Sequence, residues 1–397
     1  MARHLAANAL TFLIVALFAL AGVIAWGTQE WSARGPLAQA ICLQVPGGST
    51  MRRVSEDLAA QGAIASPTIF RLGADYTDRT ALLKQGSFLV PASASMEEIS
   101  EIVTRNGAST CGTEVVFVIG VAATEARVRE LDPATNRFEE TAAFDFADPE
   151  AAVPPEYEQV AARPDATFRV VVAEGTTTWQ VVQGLNAVPL LEGDSEETPP
   201  EGLLAPDSYA IEQGDTVAAL LADMQAAQTR ILAEVWATRA EDLPFDTPEE
   251  ALTLASIVEK ETAIAEERPV VASVLVNRIE GGMRLQFDPT IIYGITRGQG
   301  VLDRPIRQSD IDGATEAELH GEVAYNTYVL DGLPAGPIAN PGRPAIEAAV
   351  RPGDTDYLYF VADGSGGHAF ATTLDEHNAN VARWRALEAE QAASPAP

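Results

Sequence analysis

The sequence predicts an α+β protein carried on a single N-terminal membrane-spanning helix. Three observations predict it. An uncharged, apolar run extends from Leu5 to Gln29. From Ile41 onward, short β-rich runs alternate with segments that open on helix-capping residues. A long helix beginning near Pro248 carries a glutamate on its apolar face, and a mixed α/β domain surrounds it. The 397 residues suffice for two or three domains, and an apolar share of 47% supports a real core.

About 20 apolar residues span a bilayer, so residues 8–28 are read as the span and 1–7 as a cytoplasmic N-terminus. Arg3 and His4 precede the run and Glu30 follows it, so the positive-inside rule sends the remainder of the chain outward. The rival reading is a cleaved signal peptide with Ala19-Leu20-Ala21 as its cleavage site. Signal cores are shorter, and here the apolar run continues through Ala25 and Trp26. Both readings place the body outside the cytoplasm, at the plasma (inner) membrane for the anchored form.

Lys and Arg total 26 against 57 Asp and Glu, a net charge of −31. That balance excludes nucleic acid, because phosphate binding needs a basic face. It also excludes electrostatic adhesion to anionic lipid, and leaves a neutral or zwitterionic polymer compatible. Cys42 and Cys111 are either a disulfide or two buried thiols. A bridge is permitted outside the cytoplasm, and closing so long a loop is worth about 4 kcal/mol in the chain-entropy model.

After a short linker, Thr28 to Gln39, Ile41–Val45 reads as a strand and Ser49 as the cap of a helix ended by Gly62. Ser66-Pro67 opens a second helix. Ser87–Val90 is a strand, and Ser95 caps a helix stopped by Asn106-Gly107. These make a βααβα unit over residues 40–106. Residues 107–165 hold a strand at Val115–Val121 and the acidic, Pro-rich ADPEAAVPPEYE, and read as an inserted, partly mobile arm. A second series follows: a strand at Phe168–Val172, a helix from Gly175-Thr176, a strand at Ser208–Ile211, and a helix from Asp215 towards Arg239. GSFLVPASASMEEI and DSYAIEQGDTVAAL share the order strand, polar turn, helix, which suggests a duplication or two unrelated units of one kind. Residues 192–202 form a polar loop. Residues 166–390 make the main domain, and 391–397 a disordered tail.

Thr247, Pro248 and Glu250 form a cap, an N1 proline and a capping box. In the helix that follows, Leu254, Ile257, Val258 and Ala265 share one face, with Glu261 at its centre. Glu259 falls on the opposite face, so the two carboxylates do not share a site. Apolar surroundings disfavour the charged form and raise a glutamate from about 4.3 towards roughly 6. A carboxylic acid protonated at neutral pH is what a glycosidic oxygen needs from a general acid. The alternative is a buried ion pair of Glu261 with Arg278 or Arg284. Gln286, Asp288, Thr290 and Tyr293 form one polar cluster in an apolar stretch, and Tyr325, Asn326 and Tyr328 another. Such groups suit sugar hydroxyls, although Asp288-Pro289-Thr290 would also start a helix. Tyr357–Val361 and Ala369–Thr372 read as a hairpin whose glycine-rich loop is no dinucleotide motif. His4, His320, His368 and His377 lack metal-ligand spacing, and no GxSxG is present.

The runs ASIVEKETAIAEERPVVASVLVNRIEGGMRLQFDPTIIYG, AYNTYVLDGLPAGPIANPG and DYLYFVADGSGGHAF resemble the YceG/MltG family of endolytic murein transglycosylases. The strong motifs extend from Leu252 to about Asn378, and the part from residue 41 resembles that family's LysM-like subdomain. The resemblance implies that Glu261, the second glutamate of EKE, is the catalytic acid/base. It implies cleavage of the MurNAc–GlcNAc β-1,4 bond of nascent glycan strands to 1,6-anhydroMurNAc ends, terminating elongation beside the cell-wall synthases. No metal or organic cofactor is implied. The substrate's own C6 hydroxyl is the nucleophile, so no second carboxylate is required, unlike in ordinary glycosidases. Two features depart from the family: Phe287 stands where a small polar residue is usual, and the 107–164 insertion is long. The competing readings are a non-catalytic glycan-binding or divisome scaffold protein, and a hydrolase that pairs Glu261 with Asp288.

Overall fold

The computed structural model describes residues 2–105, 111–163, 166–312 and 324–393, with backbone alone at 2–10 and 391–393. The chain divides into two compact units. The first takes 1–115, 127–143 and 152–167, and the second 116–126, 144–151 and 168–397.

In the first unit, helix α1 (Ala2–Ser32) includes an apolar stretch, Thr11–Ser32, long enough to cross a bilayer. It continues five residues into the segment expected to be linker, because Trp31 packs its ring 6.0 Å from that of Phe70. Strand β1 (Ile41–Val45) pairs antiparallel with β2 (Gly86–Val90), from Ile41 opposite Val90 to Val45 opposite Gly86. Between them lie α2 (Met51–Ala60), α3 (Pro67–Tyr76) and a 3-10 turn (Thr80–Leu82), and α4 (Met96–Ile102) follows. Thr50, not Ser49, caps α2 by accepting from the Arg53 N–H. Ser66 caps α3, and Ser95 makes a capping box with Glu98 at the head of α4. Leu43, Val54, Leu58, Phe70, Phe88 and Ile99 form the core. Cys42 and Cys111 are joined in a disulfide, with Cα atoms 5.6 Å apart. The expected helix stop at Asn106-Gly107 lies outside the described residues.

The segment read as an inserted arm is largely strand: β3 (Thr113–Ile119), β4 (Thr124–Asp132) and β5 (Arg137–Phe144), followed by α5 (Pro155–Ala161). Charges had concealed β4 and β5. In β4 Ala126, Val128 and Leu131 are buried among charged neighbours, and β5 is almost wholly exposed, so its face is polar by necessity. Asp132-Pro133-Ala134-Thr135-Asn136 turns between them, with Asn136 left-handed at φ 54° and Asp132 accepting from the Ala134 N–H and the Thr135 hydroxyl. A five-stranded sheet has the order β5-β4-β3-β6-β7.

In the second unit, β6 (Thr167–Val172) pairs antiparallel with β7 (Ser208–Ile211), Phe168 opposite Ile211. Helix α6 (Thr178–Asn186) starts two residues later than expected, because Thr177 and Gln180 make the capping box there. Helix α7 (Val217–Trp236) is capped by Thr216. Then come α8 (Pro248–Glu261), α9 (Arg268–Glu280), α10 (Asp288–Thr296), α11 (Gln308–Asp312), α12 (Arg343–Val350), the hairpin β8 (Tyr359–Ala362) and β9 (His368–Ala371), and α13 (Leu374–Ala393). Residues 391–393, expected in a disordered tail, continue α13; 394–397 lie outside the described residues. The core of this unit sets α8 against α9 and α12 through Leu254, Ile257, Val258, Val271, Leu275 and Ile346.

Candidate active site

Helix α8 delivers its last residue, Glu261, to the site. Thr247, Pro248 and Glu250 start the helix as the sequence required, with the Thr247 hydroxyl accepting from the Glu250 N–H at 3.2 Å. Leu254, Ile257 and Val258 are wholly buried. The helix ends at Glu261, so Ala265 is not on that face and is exposed. The end has a local cause. The Thr262 hydroxyl accepts from the Ile264 N–H at 3.1 Å and donates to Glu267 at 3.1 Å, a turn that competes with further helix.

Glu261 is only partly accessible to solvent. Among the described residues none donates a hydrogen bond to its carboxylate, and neither Arg278 nor Arg284 pairs with it. Arg278 is spent on the carbonyls of Leu358 (2.7 Å), Arg284 (3.2 Å) and Leu285 (2.6 Å). Arg284 pairs with Asp331 at 3.3 Å. Burial, reinforced by the nearby negative charge of Asp288, pushes the Glu261 carboxyl up to about 7. It is therefore substantially protonated at neutral pH.

Glu259 points elsewhere, as its helical angle required. It accepts from the Gly342 N–H at 2.9 Å, at the head of α12, and lies 3.8 Å from Arg268. A carboxylate at a helix N-terminus is favoured by the exposed N–H groups and the helix dipole. Glu259 is thus a strut between α8 and α12.

Opposite Glu261, the turn 286–290 is laced to 326–328. Gln286 is left-handed at φ 59°, which aims its N–H at the Thr327 carbonyl (3.1 Å). The Phe287 N–H donates to the Thr327 hydroxyl at 2.9 Å. Asp288 then opens α10, exposed, and its Oδ1 accepts the Tyr328 hydroxyl at 2.7 Å. Glu261 and Asp288 together raise the Tyr328 phenol, after burial itself. Glu261, Asp288 and Tyr328 therefore share one site. Phe287 turns inward against Phe360, with ring centroids 5.7 Å apart, so no sugar hydroxyl meets it.

A second cluster is built around Glu201. The Tyr293 hydroxyl donates to it at 3.0 Å, as do the N–H (2.7 Å) and hydroxyl (3.0 Å) of Thr178. Burial raises the Glu201 carboxyl against these donors. The Tyr293 and Tyr325 rings lie 4.8 Å apart, with Arg297 over Tyr325. Burial lowers the Lys260 ammonium against the charges of Glu259 and Glu201, and it donates to the Gly175 carbonyl at 3.2 Å.

Two residues expected to touch substrate spend their polar groups inside the protein. Thr290 is wholly buried, donating to the Phe287 carbonyl at 2.6 Å with its hydroxyl 2.9 Å from that of Thr327. Asn326 is buried and fully used: its amide donates to the carbonyls of Asp310 (3.3 Å) and Ile311 (2.9 Å), and its oxygen accepts from the Tyr328 N–H at 3.0 Å. Both hold the turns that present Asp288 and Tyr328. Glu201 had not been singled out as a site residue. Glu201 closes an acidic loop, and nothing in that run distinguishes it from its exposed neighbours. Among the described residues no group of three His, Cys, Asp or Glu side chains is placed to hold a metal ion.

The α+β fold thus brings to a helix end a raised carboxylate with no partner among the described residues, beside an Asp–Tyr pair. The chain belongs to the YceG-like family, which it matches over residues 43–383. It is 34% identical over 180 residues to an endolytic murein transglycosylase of Bacillus subtilis, covering 45% of this chain and 46% of that one. It is 27% identical over 347 residues to an endolytic murein transglycosylase of Streptococcus pneumoniae, covering 86% of this chain and 58% of that one. The chain thus spans about half the length of the curated relatives it matches. A solved structure of a YceG-like protein from Listeria monocytogenes superposes with a TM-score of 0.45 at 23% identity, covering 86% of this chain and 98% of that one.

Proposed function

We propose that this protein is a membrane-anchored endolytic transglycosylase of peptidoglycan and that Glu261 is its single acid/base. The observation that carries the reading is the state of Glu261: unpartnered at the end of α8, reachable from solvent, and pushed up to about 7. Protonated Glu261 gives its proton to the oxygen of the MurNAc–GlcNAc β-1,4 bond as C1–O4 breaks. The resulting carboxylate takes the proton of the C6 hydroxyl, whose oxygen closes on C1. The enzyme returns protonated, no water is consumed, and the product ends in 1,6-anhydroMurNAc. Proximity of the C6 hydroxyl replaces the second carboxylate of a hydrolase. The family membership and the names of the relatives support this substrate class.

Asp288 stays near enough to hold Glu261 protonated and to favour positive charge developing at C1. Tyr328 fixes Asp288. Tyr293 and Tyr325 offer ring faces to sugars, and Gln286 an exposed amide. The antiparallel β1–β2 pair with two helices between its strands suits a LysM-like subdomain that holds the strand. Helix α1 anchors the protein in the plasma membrane with its body outside, where growing strands and their synthases are found. The Cys42–Cys111 bridge is compatible with that compartment.

One observation favours a second reading. Asp288 is close enough to Glu261 to raise it, as the partner carboxylate of a hydrolase would be. Incubating the purified protein with uncrosslinked glycan strands and weighing the products separates the two. Anhydro ends, lighter than reducing ends by one water, support the transglycosylase. Reducing ends alone would replace it with the hydrolase, and uncut strands would leave a glycan-binding scaffold.

A further inference from the structure

The first unit carries an apolar face that its own core does not use. Leu72 and Tyr76 lie four residues apart on α3, hence on one helix face, and are 64% and 90% exposed. Leu82, on the adjoining 3-10 turn, is 53% exposed.

What covers this face follows from its distance to α1. Residues 11–26 of that helix are all exposed, and packing begins at Gly27, with Glu30 and Trp31 partly covered. Trp31 lies on α3 itself: a Cβ on Gly73, the residue after Leu72, would fall 2.2 Å from the Trp31 ring. A hydrocarbon core of about 30 Å takes about 20 helical residues, which over the span 8–28 ends near Thr28. Thr28 to Ser32 then rises about 6 Å, within the about 5–7 Å of one headgroup layer. No flexible linker intervenes, so α3 is held at the bilayer surface by the same helix turn that leaves it.

We infer that Leu72, Tyr76 and Leu82 dock the first unit into the headgroup layer of the membrane that α1 spans. The inference rests on reading α1 as membrane-spanning. The contact is apolar and aromatic, not electrostatic, which agrees with the net charge of −31. Tyr and Trp favour this interface because an apolar ring and a polar edge are both satisfied there. Docking at two points, helix and face, fixes the height and tilt of the first unit over the membrane.

The test uses the full chain in phosphatidylcholine vesicles, at fewer than one chain per vesicle. A fluorophore is attached in separate variants to Leu72→Cys, Tyr76→Cys and, for comparison, Glu56→Cys on α2; the native cysteines are occupied by their disulfide. Quenching is read with nitroxide-labelled lipid and with iodide. The expected result is at least threefold stronger lipid quenching at 72 and 76 than at 56, with protection from iodide. Equal iodide access at all three positions would overturn the inference. Iodide protection without lipid quenching would also overturn it, and would point to a protein surface. Failure of the chain to float with vesicles would instead overturn the anchor, and the docking with it.

Discussion

Tyr328 donates its hydroxyl to Asp288 Oδ1 at 2.7 Å, and this bond joins two turns across 40 residues of sequence beside Glu261. It holds a negative charge where it keeps the acid protonated. Cleavage should therefore fall above about pH 7, as Glu261 deprotonates. Asp288→Asn removes the charge and leaves burial alone, so the alkaline limb of kcat/KM moves to lower pH, with a loss of about 3–10-fold at pH 7.5. Tyr328→Phe shifts the limb less. A loss of several orders of magnitude in Asp288→Asn at every pH would mean that Asp288 reacts directly.

The same raised carboxyl strains the fold when it ionises. Below the unfolded value near 4.5 both states are protonated and Glu261 has no effect. Between there and about 7 only the unfolded state ionises, so the native state loses stability as pH rises, and above about 7 the loss is constant. Glu261→Gln should therefore be more stable than wild type at pH 8, by about 1–3 kcal/mol, and equal to it at pH 4. Chemical denaturation at the two pH values measures this, and a Gln variant less stable at pH 8 would contradict it.

Burial raises the Glu259 carboxyl as well, but its role, two residues away, should be structural and not chemical. Glu259→Ala leaves the Gly342 N–H without its acceptor and removes the contact with Arg268. It should lower stability by about 1–2 kcal/mol and leave kcat within a few-fold of wild type. Loss of cleavage comparable to Glu261→Gln, in a folded protein, would place Glu259 in the chemistry.

Asn340 ties three segments together without touching the acid. Its side chain accepts from the Leu204 N–H at 2.9 Å and donates to the Thr176 carbonyl at 3.0 Å, wholly buried. Asn340→Ala leaves the Leu204 N–H unpaired and should cost about 2–4 kcal/mol, read as a lowered Tm. An unchanged Tm would show that this node carries no weight.

The legible parts of the site were those coded locally. Thr247, Pro248 and Glu250 announced α8, and a period of 3.6 then separated Glu261 from Glu259. The Asp288–Tyr328 and Glu201–Tyr293 bonds join residues 40 and 92 positions apart, and no local pattern encodes such pairings. Thr290 and Asn326 looked like sugar ligands because they are polar among apolar neighbours. A buried backbone carbonyl demands the same residue types as a hydroxyl of the substrate, and here the backbone is the partner. Strands β4 and β5 were hidden because a sheet with one wet face places charges at alternate or consecutive positions, which by composition resembles a loop.

The most direct measurement is the mass of the chain ends released from glycan strands by the wild type and by Glu261→Gln side by side. The wild type should release 1,6-anhydroMurNAc ends, and Glu261→Gln, folded and at least as stable at pH 8, should release about a thousandfold fewer. Reducing ends from the wild type, or undiminished anhydro ends from Glu261→Gln, would contradict a single-glutamate transglycosylase.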